Sequence, residues 1–565
     1  MRRTVAALGQ REYDVVIVGG GIFGICAAWE AASRGLTVAL LERRDFAAAT
    51  SEHCFKMIHG GLRYLQHGDL PRLRESSRER SILLRIAPHL VRPLPIVVPT
   101  YGHGRQSRAL LRAGLLAYDA LTADRNRDIA DPQRRIPAGR MLSRQACLSL
   151  FPWLRRPGLT GAALVHDGHM PSPTRLALAF LKSATEAGAE VVNYVEATGL
   201  LRTGNAIRGV KARDALTGAA FDVRGRLVLN AAGPWAGPLL RRALGIALDP
   251  PPTFSRDAYL VVPGRLTGDY ALAVPAVTRD PDAILSRGPR HLFLVPWRDS
   301  TLVGVWHKVH RGAPETVSLQ DAELEAFLDE LNRGGLPVPL TRRDIVRWHA
   351  GLVLFGDNAP HARDLSYGKR SRVVDHARTD KVEGLVTLIG VRYTTARAAA
   401  EAVIDLAACK LGRRCRPSRT AFTPIHGGAI ERVEALVQQA TVGRPYGLKP
   451  EILRSLIAHH GSAYRDVLRY VANDPGLARP LGESSAIKAQ VVHAVREEMA
   501  VTLGDVVFRR TDLGAERPPG PRTLAACAAV MAAELGWSPA RTQREIDDVE
   551  AVFHAALGVP AAPWS

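Results

Sequence analysis

The chain has 565 residues, 46% hydrophobic and 23% charged, which calls for two or three folded domains and excludes a disordered or fibrous protein. Its net charge of +20 fits either an arginine-rich solvated surface or attraction to an anionic substrate, membrane or nucleic acid. With no zinc-finger spacing, basic leucine heptad or basic tail with interleaved aromatics, nucleic acid is excluded as the main partner.

Residues 13–18 read YDVVIV, a short apolar strand rich in β-branched side chains. It runs directly into GGGIFG, with Gly19, Gly21 and Gly24 at the G-x-G-x-x-G positions. The first glycine permits a tight turn, the second lets backbone approach a pyrophosphate, and the third lets the next helix pack on the sheet. That helix is predicted over 24–34, its N-terminal amides aimed at the phosphates. A second strand at 36–41 ends on Glu42, 21 residues beyond Gly21, where an acid is expected to accept hydrogen bonds from an adenosine ribose. The glycine pattern alone is weak evidence; strand, turn, helix, strand and terminal acid together predict a dinucleotide site.

Further along, 72–84 reads as an amphipathic helix with Pro71 before it and Ala87-Pro88 ending it. A strand at 190–195 leaves Val195 to pack on adenine, and 227–235, LVLNAAGPW, is a strand entering a small-residue turn at Ala231, Ala232 and Gly233, ahead of Trp235. AYLVVP, HLFLVP and STLVGVW between 250 and 350 are predicted strands of a substrate-side sheet. LVTLI at 385–389 is followed by Gly390 and an alanine-rich helix beginning near Thr394. These distant segments are expected to converge at the carboxyl ends of the strands, and with IHGGLRY at 58–64 they point to FAD as the cofactor.

The stretch 412–428 reads as a linker. Beyond it, 450–458, 464–472, 486–502, 522–535 and 541–556 carry apolar residues at helical spacing. The expected organisation is therefore an FAD-binding domain in segments 12–100, 191–245 and 371–412, a mixed region at 101–190, a substrate domain at 246–370, a linker at 413–428 and a helical domain at 429–565. Six scattered cysteines without a CxxC suggest neither a disulfide scaffold nor a structural zinc site and fit a reducing cytosol; no metal is expected. No apolar run predicts a signal peptide or a membrane-spanning helix. The expected location is cytoplasmic, with a peripheral position on the inner face of the cell membrane left open.

The motifs resemble those of the FAD-dependent glycerol-3-phosphate dehydrogenases. Thr50-Ser51 followed by KMIHGGLRYLQ at 56–66, AAGPW at 231–235, FLVPW at 293–297, the pair Thr394-Thr395, and VREEMAVTLGDVVFRRTDLG at 495–514 keep the family's order over nearly the whole chain. The resemblance implies an α/β fold: a Rossmann-like FAD-binding domain, an antiparallel-sheet substrate domain and a C-terminal helical domain. It also implies oxidation of a secondary alcohol by hydride transfer to flavin N5, with quinone or oxygen as the acceptor. A small alcohol, phosphorylated or not, is the expected substrate; membrane contact and a homodimer stay open.

Gly60 and Gly61 would let the chain pass close to the isoalloxazine, and His59 would bond to the cofactor or to backbone. By the resemblance Arg63 and Arg372 match arginines that bind substrate phosphate, a role guanidinium suits. Arg392 stands where the family carries lysine, and its charge would stabilise the reduced flavin or meet the substrate. For each arginine an ion pair is the alternative. Thr394 and Thr395 start a helix that they can cap.

The departures matter as much. Tyr259 replaces the family's histidine in KGSH, Val353 replaces the arginine of SGVRPL, Trp306-His307 end a segment that usually reads GTTD, and PSPTRL replaces DDARL. Each charged hydrogen bond to a phosphate contributes roughly 1.5–3 kcal/mol, so an unreplaced arginine lowers affinity by about tenfold or more. Arg363 and Lys369 are candidates to compensate. His307, His349, Tyr259 and Arg392 form the candidate catalytic set, the histidines suiting a base near neutral pH, with Arg63, Arg372 and Trp306 on the substrate. Two alternatives remain beside glycerol 3-phosphate oxidation: a divergent oxidoreductase for another alcohol or amine, and a flavin-binding protein with reduced activity.

Overall fold

The computed structural model describes residues 1–102, 108–279, 289–336, 338–356 and 370–556. Two sheets dominate it. In the first, Glu12–Val18 lies between Ala220–Asn230 and Val38–Leu41, with Leu385–Ile389 and Glu190–Val192 outside them, all pairing in parallel. Arg372–Asp375 closes one edge antiparallel to Leu385–Ile389. The hairpin Val195–Thr203 and Ala206–Asp214 branches from Ala220–Asn230.

Both faces of this sheet are covered, which is why YDVVIV is apolar on both faces after Asp14. Val15 and Ile17 enter the core beneath helix Ile22–Ser33, while Val16 and Val18 enter the core on the opposite face. Ile22–Ser33 packs between helices Pro173–Glu186 and Ala396–Lys410. It can lie this close to its strand because a Cβ on Gly24 would stand 1.9 Å from the Gly19 carbonyl oxygen.

The second sheet runs Arg347–Phe355, Thr253–Pro263, Ser300–His310, Pro289–Trp297, Ala271–Arg279, Arg92–Tyr101, Leu159–His169 and Met57–Ile58. It is antiparallel except where Ala271–Arg279 meets Arg92–Tyr101. Its strands therefore come from residues before 170 as well as from 250–355. Arg363 and Lys369 lie outside the described residues.

The segment 412–428 contains no helix or strand, yet it is docked rather than loose. The Thr420 hydroxyl donates to buried Glu30 at 2.6 Å, and the Ile425 amide donates to the Ile86 carbonyl at 3.1 Å. Beyond it, helices Val433–Gly443, Pro450–His460, Tyr464–Asn473, Lys488–Glu498, Pro521–Leu535 and Pro539–Ala556 build two apolar cores of their own. The helix expected over 486–502 stops at Glu498 because Met499 turns left-handed (φ +55°), and a π-helical turn, Asp505–Arg510, follows. Among the described residues no helix is long and apolar enough to cross a membrane.

Candidate functional site

A cavity of ≈ 860 Å3 opens between the two sheets, at the carboxyl ends of the parallel strands. At one end lies the glycine turn. Gly19 has φ +109°, and a Cβ there would stand 2.7 Å from the Ala231 carbonyl oxygen, so only glycine fits. The Gly20 amide donates to Glu42 Oε2 at 2.6 Å. Gly21 precedes helix Ile22–Ser33, whose first amide donates to the Ser51 hydroxyl at 3.0 Å.

Burial pushes the Glu42 carboxyl up, against the pull of the Arg44 and Gly20 amides. Val195 holds the backbone beside it, its amide donating to the Glu42 carbonyl at 2.8 Å. Opposite, Ala232, Gly233 and Trp235 line the cavity; Gly233 (φ +56°) has open space where a Cβ would be. Arg43 lies 4.4 Å over the Trp235 ring, and the indole N–H donates to Glu315. A dinucleotide fits this cradle: bare backbone at the turn, helix amides above it, and a carboxylate at the end of the second strand.

Thr50 lines the same cavity and also ties two units together. Its hydroxyl donates to the Leu352 carbonyl at 3.1 Å and accepts from the Leu352 amide at 3.3 Å. Thr394 and Thr395 are buried in the turn that enters helix Ala396–Lys410; the Thr394 hydroxyl accepts the His59 amide at 3.1 Å. That bond joins the IHGGLRY segment to the parallel sheet.

His59, Gly61, Arg63, Arg290 and His291 also line the cavity. His59 Nδ1 lies 3.9 Å from Asp167 Oδ2, and the imidazole is 48% exposed. Burial opposes ionisation of Asp167, yet His59, Arg80 and the Gly60 amide together hold its carboxyl below the usual range. Arg80 donates to Asp167 at 2.7 Å from a fully buried position. His291 is an exposed side chain on this lining, with the Arg63 charge beside it.

His307 and Asp257 also line the cavity, with Nδ1 and Oδ1 2.8 Å apart. Asp257 is itself fixed by the Ser255 hydroxyl at 2.7 Å. Val353 lines this wall, so the position carries no cation. Arg392 reaches the cavity while donating to the Tyr64 hydroxyl (3.0 Å) and Ser76 (2.9 Å) and pairing with Glu75 (3.3 Å).

Five sequence-based expectations are corrected. Trp306 is not on the substrate: side chains alternate along Ser300–His310, and its ring lies on the other face, stacked on Phe327 at 5.4 Å. Arg372 donates to the carbonyls of Asp249 (2.5 Å) and Pro250 and does not line the cavity. His349 sits behind the wall, its Nδ1 2.9 Å from His53 Nδ1 and its ring stacked on Tyr259 at 4.8 Å. Burial, reinforced by Arg347, holds His349 well below the usual imidazole range.

Tyr259 presents its ring to the cavity, but its hydroxyl is occupied by Lys56 Nζ at 2.6 Å. Burial pushes the phenol well above its ordinary value, so it is not a base at neutral pH. Gly60 serves spacing of another kind: a Cβ there would meet Arg80 Nη1 at 2.0 Å and the Tyr118 hydroxyl at 2.5 Å.

Asp167, Asp257, Lys56, His53 and Arg290 were not singled out from the sequence. Asp167 lies in the HDGH run at 166–169, the one local signal that could have marked it. The others are ordinary residues of strands and loops until the sheets are paired.

The FAD dependent oxidoreductase family model matches residues 14–406, and the C-terminal domain of alpha-glycerophosphate oxidase matches 418–542. Glycerol-3-phosphate dehydrogenase 2 of Mycobacterium tuberculosis is 34% identical over 571 residues, covering 98% of this chain and 90% of that one. The glycerol-3-phosphate dehydrogenase of Synechocystis is 31% identical over 558 residues, covering 96% and 97%. In fold, the Bacillus halodurans glycerol-3-phosphate dehydrogenase solved with FAD is similar at a TM-score of 0.76 and 22% identity, over 99% of this chain and 98% of that one. With this cradle and these matches, the chain is an FAD-dependent oxidoreductase and belongs to the glycerol-3-phosphate dehydrogenase family.

Proposed function

We propose that the protein oxidises glycerol 3-phosphate at its secondary hydroxyl. The observation that carries this reading is that His59 and Arg63, four residues apart, face the same cavity as the glycine turn. A substrate anchored by its phosphate on Arg63 would bring its hydroxyl within reach of the imidazole. The names of the relatives favour the same substrate.

FAD, when bound, supplies the acceptor for the hydride. The chain's own groups do the rest. Asp167 lies 3.9 Å from His59 Nδ1, so its charge would favour the imidazolium formed when Nε2 takes the hydroxyl proton. Arg80 fixes Asp167 in turn at 2.7 Å. His291 offers a further hydrogen bond to the phosphate beside Arg63.

A second reading, oxidation of an alcohol or amine that carries no phosphate, is favoured by Val353 on the wall and by Arg372 spent on backbone carbonyls. Anaerobic bleaching of the flavin separates the two. Reduction by glycerol 3-phosphate and not by glycerol supports the first; rapid reduction only by uncharged alcohols or amines overturns it.

A further inference from the structure

The loop between Glu42 and His53 has two sides. Arg43, Arg44, Ala48, Ala49, Thr50 and Ser51 line the cavity. Asp45 and Glu52 are absent from that wall; both are buried, and both meet the π-helical turn Asp505–Arg510 of the C-terminal helices.

Arg510 grips Asp45 with two bonds, Nη1 to Oδ2 at 2.6 Å and Nη2 to Oδ1 at 2.7 Å. Arg509 spans both carboxylates: Nε donates to Asp45 Oδ2 at 2.5 Å and Nη1 to Glu52 Oε2 at 3.1 Å. Each arginine is also held on its own side. Arg509 Nη2 donates to Asp505 at 2.7 Å, and Arg510 Nη2 to the Glu498 carbonyl at 2.8 Å. Asn193 adds a bond to Asp45 at 3.1 Å and another to the Met499 carbonyl at 2.9 Å.

Inside this grip the loop is pressed on the glycine turn. The Ala47 amide donates to the Gly20 carbonyl at 2.9 Å, and a Cβ on Gly20 would stand 2.9 Å from the Phe46 ring. Ser51 then caps the helix whose amides face the dinucleotide.

We propose that Arg509 and Arg510 are positioning residues for FAD: they grip Asp45 and Glu52 from outside and so hold the cavity-lining loop on the glycine turn. Two effects act together. Bidentate charge-assisted bonds fix the loop's geometry. They also neutralise two buried carboxylates that, left unpaired, would be costly in place and would repel an anionic pyrophosphate. The helical domain is thus a part of the cofactor site that never touches the cavity.

The test follows FAD release from the holoenzyme, read by recovery of free-flavin fluorescence after dilution, beside the far-UV melting curve. Arg509→Met should release FAD about tenfold faster. Arg509→Lys, which keeps one charge on Asp45, should fall between that variant and the parent. Arg496→Met breaks a solvent-exposed pair with Glu534 (2.6 Å) on the outer surface of the same helices and should leave release unchanged. If Arg509→Met yields no folded holoenzyme, Glu52→Gln removes one of the loop's two carboxylates from the clamp and carries the same expectation. Release within twofold of the parent in Arg509→Met, or in Glu52→Gln where that one decides, overturns the proposal. Equal acceleration in Arg496→Met also overturns it, because the effect would then be general loosening.

Discussion

Lys56 donates from Nζ to the Tyr259 hydroxyl at 2.6 Å, and its ammonium lies 4.7 Å from the centre of the Trp297 ring. Burial lowers the amine to about 8, against an ordinary value of 10.5. Between those two values the unfolded chain binds more protons than the folded one, so stability rises with pH across that window. Below pH 8 the buried charge costs up to about 3 kcal/mol. Chemical denaturation of the parent and Lys56→Met from pH 7.5 to 10.5 should show the rise in the parent and its loss in the variant. Parallel curves would mean the lysine is not held in this way.

His59→Gln should slow anaerobic flavin reduction by about 100-fold or more, with FAD content unchanged, as removal of a general base does. His307→Gln should change it by only a few-fold if the base is His59, beside Asp167, and not His307, beside Asp257. Stopped-flow reduction at saturating substrate measures both. The reverse order would move the base to the His307–Asp257 pair.

Val353→Arg puts a cation back on the cavity wall. If glycerol 3-phosphate is the substrate, its KM should fall about tenfold while turnover of unphosphorylated glycerol stays the same. Arg372→Met should leave KM alone and lower stability by about 1 kcal/mol, because its bonds go to carbonyls. A rise in KM for Arg372→Met, with the melting temperature unchanged, would return Arg372 to the anion site.

Gly60→Ala should lower stability, though less than a methyl at Gly24, which would meet backbone. The added carbon meets a buried guanidinium and a tyrosine hydroxyl, so the Arg80–Asp167 pair must shift, at a cost of about 3 kcal/mol or more. Thermal melting checks the loss. A variant that melts as the parent does would show that Arg80 is free to move.

The cofactor half of the site was legible in the sequence because its signals are local. Strand, glycine turn, helix and Glu42 fall within one short stretch, and each residue's task is set by backbone geometry that neighbours in sequence define. The helical spacing beyond 429 is local in the same sense. The substrate half was not legible, because its residues act across pairs of strands. Trp306 and His307 adjoin in sequence, yet they face opposite sides of a sheet whose pairing shifts at Ala258/Tyr259. Arg372 keeps its motif and still turns to Asp249 and Pro250, and Asp167 gains its role only when its strand pairs with Met57–Ile58 and brings His59 beside it. Sequence alone determined which cofactor the chain holds; tertiary structure decided which side chains share its cavity, since facing depends on register and on contacts between distant segments.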